Sequence, residues 1–166
     1  MRMGLLGQVR RVLAPRGVKV VQRVQLVYQW TYLLLAVDPL AGTICWAWVE
    51  RMNAAHLFPV LEKWGLPCVV WDGAPAHRAQ AMQALKTVRV RQPAYSPEVN
   101  PAERIFEEVR RWIEGKVYES VAAKKEAAEG YLRLLEADPE RVRRLCGWDW
   151  IRDALLALPP SLPASV

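Results

Sequence analysis

The chain has 166 residues, 52% of them hydrophobic and 24% charged, with 8 Trp and a net charge of +6. A length of this order supports one domain with a substantial core, and the apolar fraction excludes a disordered chain. The longest apolar runs, such as residues 32–37, are too short to span a bilayer, and the start "MRMGLLGQVRRVLAPRG" lacks a signal peptide's long apolar region, so a cytoplasmic protein with no membrane partner is expected.

Charge placement says more than the total. Arg2, Arg10, Arg11, Arg16, Lys19 and Arg23 precede the first acidic residue, Asp38, and beyond residue 37 the balance is 17 basic against 17 acidic groups. The whole excess therefore lies at the N-terminus, as either a solvated arm or a surface that neutralises phosphates. Cys45, Cys68 and Cys146 are odd in number and lack metal-site spacing, which fits reduced thiols.

Along the chain, "APRG" at residues 14–17 predicts a turn, with Pro15 in its second position. Residues 18–28 alternate imperfectly and predict extended chain. "TYLLLAVDPLAGTICWAWVE" predicts a hairpin whose turn begins at Asp38, read as an Asx turn former. Asn53 caps a helix through residue 64, with Gly65 as its stop; His56 in its first turn is assigned no role. The apolar run 68–71 predicts a buried strand, followed by a helix over 77–85 and a short strand over 87–90. After a Pro-rich loop, a helix is expected over 101–116, then helix from beyond Ser120 to 136, a break at Asp138 and Pro139, and helix over 140–145. The tail "LPPSLPASV" reads as a frayed terminus.

Two stretches carry chemistry. "PCVVWDGAPAHRA" ends its strand in Asp72, either a turn former or a carboxylate at the strand end where open α/β sheets place ligands. "RQPAYSPEVNPAERIFEEVRRWI" puts Asn100 at an N-cap, Pro101 at the first helical position and Glu103 at the third, a capping box. On a helical wheel Glu103 borders the apolar stripe of Ile105, Phe106, Val109, Trp112 and Ile113, about 60° from Phe106. Glu107 and Arg111 form an i,i+4 pair, and Glu108 reads as surface.

Together, "VVWDGAPAHRA" and "PAYSPEVNPAERIFEEVRRWI" resemble the catalytic domain of mariner-superfamily bacterial insertion-sequence transposases of the Asp-Asp-Glu (DDE) type. "RRVLAPRGVK" and "LLLAVDPLAG" resemble that family's first hairpin region, so the likeness extends over nearly the whole chain. It implies an α/β, ribonuclease-H-like (retroviral-integrase-like) mixed sheet flanked by helices. Residues 1–118 would be the catalytic core, with its first strand largely missing, and 119–166 a helical C-terminal extension.

The resemblance assigns Asp72 and Glu103, 31 residues apart, as the second and third metal-binding acids, with His77 a possible contact to DNA or to a metal-bound water. The implied cofactor is Mg²⁺ or Mn²⁺ in a two-metal site, in which ions about 3.5–4 Å apart activate the attacking oxygen and stabilise the leaving one. The implied partners are double-stranded transposon-end DNA, a separately encoded helix-turn-helix part, and a second copy when active; from the charge of the N-terminus, Arg10, Arg11, Arg16 and Lys19 are the residues expected to contact the DNA. One departure is plain: no acidic residue precedes Asp38, so the family's first acid is lacking. That implies a fragment or a second reading frame, weak or absent metal binding, and as the rival reading an inactive DNA-binding remnant. A cellular nuclease of the same fold is the third reading, disfavoured by "YSPEVNPAE".

Overall fold

The computed structural model describes residues 1–7, 13–93 and 96–157. The strands are β1 (Arg2–Gly4), β2 (Trp30–Asp38), β3 (Thr43–Val49), β4 (Cys68–Trp71) and β5 (Val88–Arg91). The helices are α1 (Ala54–Trp64), α2 (Pro101–Ile113), α3 (Val121–Glu136), α4 (Pro139–Cys146) and α5 (Asp149–Leu156). This is a mixed α/β architecture with two small sheets, an antiparallel β1-β2-β3 and a parallel β4-β5 pair.

Strand β2 organises the core because its side chains alternate between two helical layers. Leu33 and Leu35 face Ile105, Phe106 and Val109 of α2, Leu132 and Leu135 of α3, and Val142 of α4. Tyr32 and Leu34 face the other way, onto Leu57 and Leu61 of α1 together with Met82 and Trp71. The first layer is the larger, and several of its side chains are wholly buried. The turn between β2 and β3 forms as expected: Asp38 Oδ1 accepts from the amides of Leu40 and Ala41 at 2.9 and 3.0 Å. Gly42 closes it at φ 72°, and a Cβ there would stand 2.3 Å from the Pro139 carbonyl oxygen, so the hairpin tip seats directly on α4. Arg143 secures the contact by donating to the Ala41 oxygen at 2.7 Å.

Several expectations are corrected. Residues 77–85 do not form one α-helix but two 3₁₀ segments, Pro75–Arg78 and Gln80–Ala84, separated by Ala79 in an extended conformation and capped by no side chain. Helix α2 stops at Ile113 rather than near residue 116, because Glu114 turns extended and Gly115 takes φ 78°. The hydrogen-bonded turn in the arm is one residue later than "APRG" suggests: the Val18 amide donates to the Pro15 oxygen at 3.1 Å, with Gly17 at φ 86° in the third position. Residues 18–28, expected only as extended chain, pair in no sheet. They run largely exposed, tied back through the Gly7 amide, which donates to the Gln25 oxygen at 2.8 Å.

Strand β4 is not fully buried either. Val70 is 38% exposed, because β4 has β5 on one edge and no strand on the other among the described residues. The β5 boundary shifts by one residue, and α5 was not anticipated. The tail from residue 158 lies outside the described residues. All three cysteines are free thiols. Among the described residues no helix is long and apolar enough to cross a membrane.

Candidate active site

Asp72 is the first residue after β4 and its side chain is 63% exposed. Its position follows from the local sequence: the apolar strand ends at Trp71, and Gly73 and Pro75 prevent the ladder from continuing. Asp72 Oδ1 accepts from the Ala74 amide at 3.0 Å, an Asx turn that folds the chain back. That return brings His77 over the strand end. Its ring stacks on Trp71 with centroids 4.5 Å apart and planes 5° from parallel, and its Nδ1 lies 2.9 Å from Asp72 Oδ1. Behind the loop, Gly73 abuts the Arg91 guanidinium, where a Cβ would come within 2.8 Å. The turn-forming and ligand-presenting readings of Asp72 are therefore compatible, since the carboxylate does the first while remaining open to solvent.

Glu103 lies in the first turn of α2. Asn100 caps the helix through Oδ1, which accepts from the Ala102 amide at 3.0 Å, and Pro101 takes the first helical position. The capping box is only half made. The Asn100 amide donates to the Pro97 oxygen at 3.1 Å, so Glu103 is not called upon to accept from it. Its carboxylate instead extends along the helix, with Oε2 3.9 Å from Arg110, and remains half-exposed in an open groove of about 450 Å³. Two neighbours are neutralised within the helix: Arg111 donates to Glu107 and to Glu108 at 2.7 Å each. Glu108 is not a surface residue as expected. It is 20% exposed and accepts from the Tyr131 hydroxyl at 3.0 Å, bridging α2 to α3.

The structure adds a group to the Glu103 end of this region that sequence reasoning missed. The Met1 ammonium donates to the Leu33 oxygen at 2.6 Å and senses the charges of Glu103 and Arg110. Burial pushes its pKa down to about 6, with Glu103 opposing that shift and Arg110 adding to it. Beyond this point β2 continues to Asp38, and among the described residues its only partner there is β3. No composition signal could have found this amine, since it depends on where the ladder places residue 1.

Asp72 and His77 are together; Glu103 is joined by Arg110 and the Met1 amine, and Asp72 is not among the residues lining the groove at Glu103. Among the described residues no three or more His, Cys, Asp or Glu side chains converge as a metal site demands. The donors are the hard oxygens Mg²⁺ or Mn²⁺ prefers, but their number falls short of a two-metal set. Arg16 and Lys19 are exposed on the arm, as is Arg23. Arg10 and Arg11 lie outside the described residues.

No protein-family model matches the sequence, and no curated protein matches it either. Solved structures do. The chain resembles the Mos1 strand transfer complex with TM-score 0.57 and 16% identity, and the Mos1 transposase paired-end complex with left transposon end with TM-score 0.57 and 17% identity. Each match covers 89% of this chain and 52% of the other, so the chain spans about half the length of the structures it resembles. At that identity the likeness establishes a shared fold.

Proposed function

We propose that this chain is the catalytic part of a DDE-type transposase of the mariner superfamily and of insertion-sequence origin, with a ribonuclease-H-like fold. Its ancestral reaction is metal-dependent cleavage and strand transfer of DNA. One observation carries the reading: in a chain with the fold of the Mos1 transposase, Asp72 sits at a strand end and Glu103 in the first turn of a helix, within the two motifs that such enzymes resemble. Cutting and rejoining a phosphodiester is an in-line displacement, and carboxylates from separate elements are its usual metal holders.

Asp72 and Glu103 would supply two of the carboxylates that such a metal site needs, and two do not complete it. We propose that the missing acid comes from polypeptide outside residues 1–166. The Met1 amine lies within electrostatic reach of Glu103, and the β2 edge runs on past it, so a strand added at that point would bring its side chains toward Glu103. The second copy and the separate helix-turn-helix part belong to the same proposal.

The rival reading, a DNA-binding remnant, is favoured by the incomplete acid set and the exposed basic arm. The test compares residues 1–166 with a form extended at the N-terminus by an aspartate-bearing strand, in nicking of supercoiled plasmid with Mg²⁺ or Mn²⁺. Nicking by the extended form alone supports the transposase reading. DNA binding by both with nicking by neither supports the remnant.

A further inference from the structure

A cavity of about 60 Å³ lies where the base of the arm meets the α2–α3 turn. Among the described residues its wall carries Arg2, Arg23, Arg110, Lys116 and Lys124 and one carboxylate, Glu114. Arg110 is offset in part by Glu103, 3.9 Å away, which leaves Glu114 to face the other four cations, so the wall keeps an excess of positive charge.

Two of the cations are held by their neighbours. Lys124, 9% exposed, donates to the Gly4 oxygen at 2.7 Å, which leaves further ammonium protons to direct, and it lies 5.6 Å from the Tyr118 ring centroid. Arg2 sits over Trp30, its Cζ 3.6 Å from the ring centroid. The size also fits. At about 10–15 Å³ per water, the cavity takes about four to six waters, enough room for the four oxygens of one tetrahedral oxyanion. Burial lowers the Lys124 pKa, with Glu114 opposing.

We propose that this cavity is a phosphate subsite, occupied in the working protein by a backbone phosphate of DNA. Arg110 lines the cavity and also reaches within 3.9 Å of Glu103, so the phosphate held here is one side chain away from the candidate active site. The anion site stands on its own geometry; its occupation by DNA rests on the function proposed above.

The test uses the 166-residue chain and the double variant Arg23→Gln, Lys116→Gln, with Arg133→Gln on α3 as control. Thermal unfolding is followed in sodium sulfate and in inorganic phosphate against sodium chloride of equal ionic strength. Duplex DNA binding is followed against salt. Both oxyanions stabilise folded chains generally by exclusion from their surface, so the site predicts a larger rise in melting temperature for the parent and the control than for the double variant. The double variant should also lose about 0.9 from the slope of log affinity against log salt, one phosphate's worth of counterions. Equal oxyanion responses in all three proteins overturn the subsite. A response specific to the cavity with an unchanged DNA slope overturns the DNA phosphate as its occupant. Absence of DNA binding by the parent, with the oxyanion response intact, overturns the function proposed above and leaves the anion site standing.

Discussion

His77 Nδ1 lies 2.9 Å from Oδ1 of Asp72 and 3.1 Å from the Asp72 main-chain oxygen, while its ring is stacked on Trp71. With two oxygens facing it, Nδ1 carries the proton and donates, which leaves Nε2 turned away from the aspartate. The histidine thus braces the strand end from which Asp72 projects, and the Ala74 amide braces the same Oδ1.

Replacing Asp72 by Asn keeps an oxygen for the Ala74 amide and removes the charge that a divalent ion needs. The fold should survive, and melting should show little change. In the N-terminally extended protein, Mg²⁺-dependent nicking should fall about a hundredfold or more, equivalent to about 3 kcal/mol of lost charge stabilisation. Undiminished nicking by Asp72→Asn would remove Asp72 from the site.

The exposed arm predicts salt-sensitive DNA binding with little sequence preference. Arg16→Gln and Lys19→Gln should each reduce the slope of log affinity against log salt by about 0.9 if each contacts one phosphate. Neutralising Arg10 and Arg11 should act in the same direction. Fluorescence anisotropy with a labelled duplex between low and moderate salt reads this directly, and parallel lines for parent and variants would place the DNA surface elsewhere.

What was legible in the sequence follows from which signals are local. Asn53, Gly65, Asn100 and Asp138 announce helix ends through their own side chains or backbone freedom, and all four do so in the structure. The Asp38 turn was equally readable, because an Asx turn involves only near neighbours. Residues 77–85 misled because an alanine-rich run has helix propensity, yet no capping side chain nucleates it and the Asp72–His77 contact sets its start. Glu108 misled because its partner, Tyr131, is 23 residues away. The proximity of Met1 to Glu103 was illegible for the same reason: strand register decides it.

The first turn of α2 gives a prediction that separates capping from chemistry. Asn100→Ala should cost about 1 kcal/mol, the ordinary value of an N-cap, because the Ala102 amide loses its acceptor. Glu103→Gln should cost less. The Asn100 amide is already bonded to Pro97, and a half-exposed pair at 3.9 Å contributes about 0–1 kcal/mol. Urea denaturation of the two variants should therefore rank them in that order, while nicking by the extended protein ranks them in reverse. A Glu103→Gln variant as destabilised as Asn100→Ala would mean that its carboxylate is structural.

The Met1 amine ties stability to pH in a way that can be isolated. Its pKa is about 6 in the folded chain against 8.0 as the ordinary value, so between those limits the unfolded chain binds more protons than the folded one. Stability therefore rises with pH from about 6 to 8, and below 6 the penalty for burying the ammonium is fully present. Two pH units correspond to about 2.7 kcal/mol, and because Met1 is only partly buried, about 2 kcal/mol is the expected size. Acetylating the amine leaves an N–H to donate to the Leu33 oxygen and abolishes the titration. Urea midpoints for the free and acetylated chains should then converge near pH 8.5 and diverge as pH falls, with the acetylated form the more stable. The difference between the two cancels the contribution of every other titrating group. Parallel profiles would mean that the amine is solvated, and the strand register at Met1 that brings it near Glu103 would have to be redrawn.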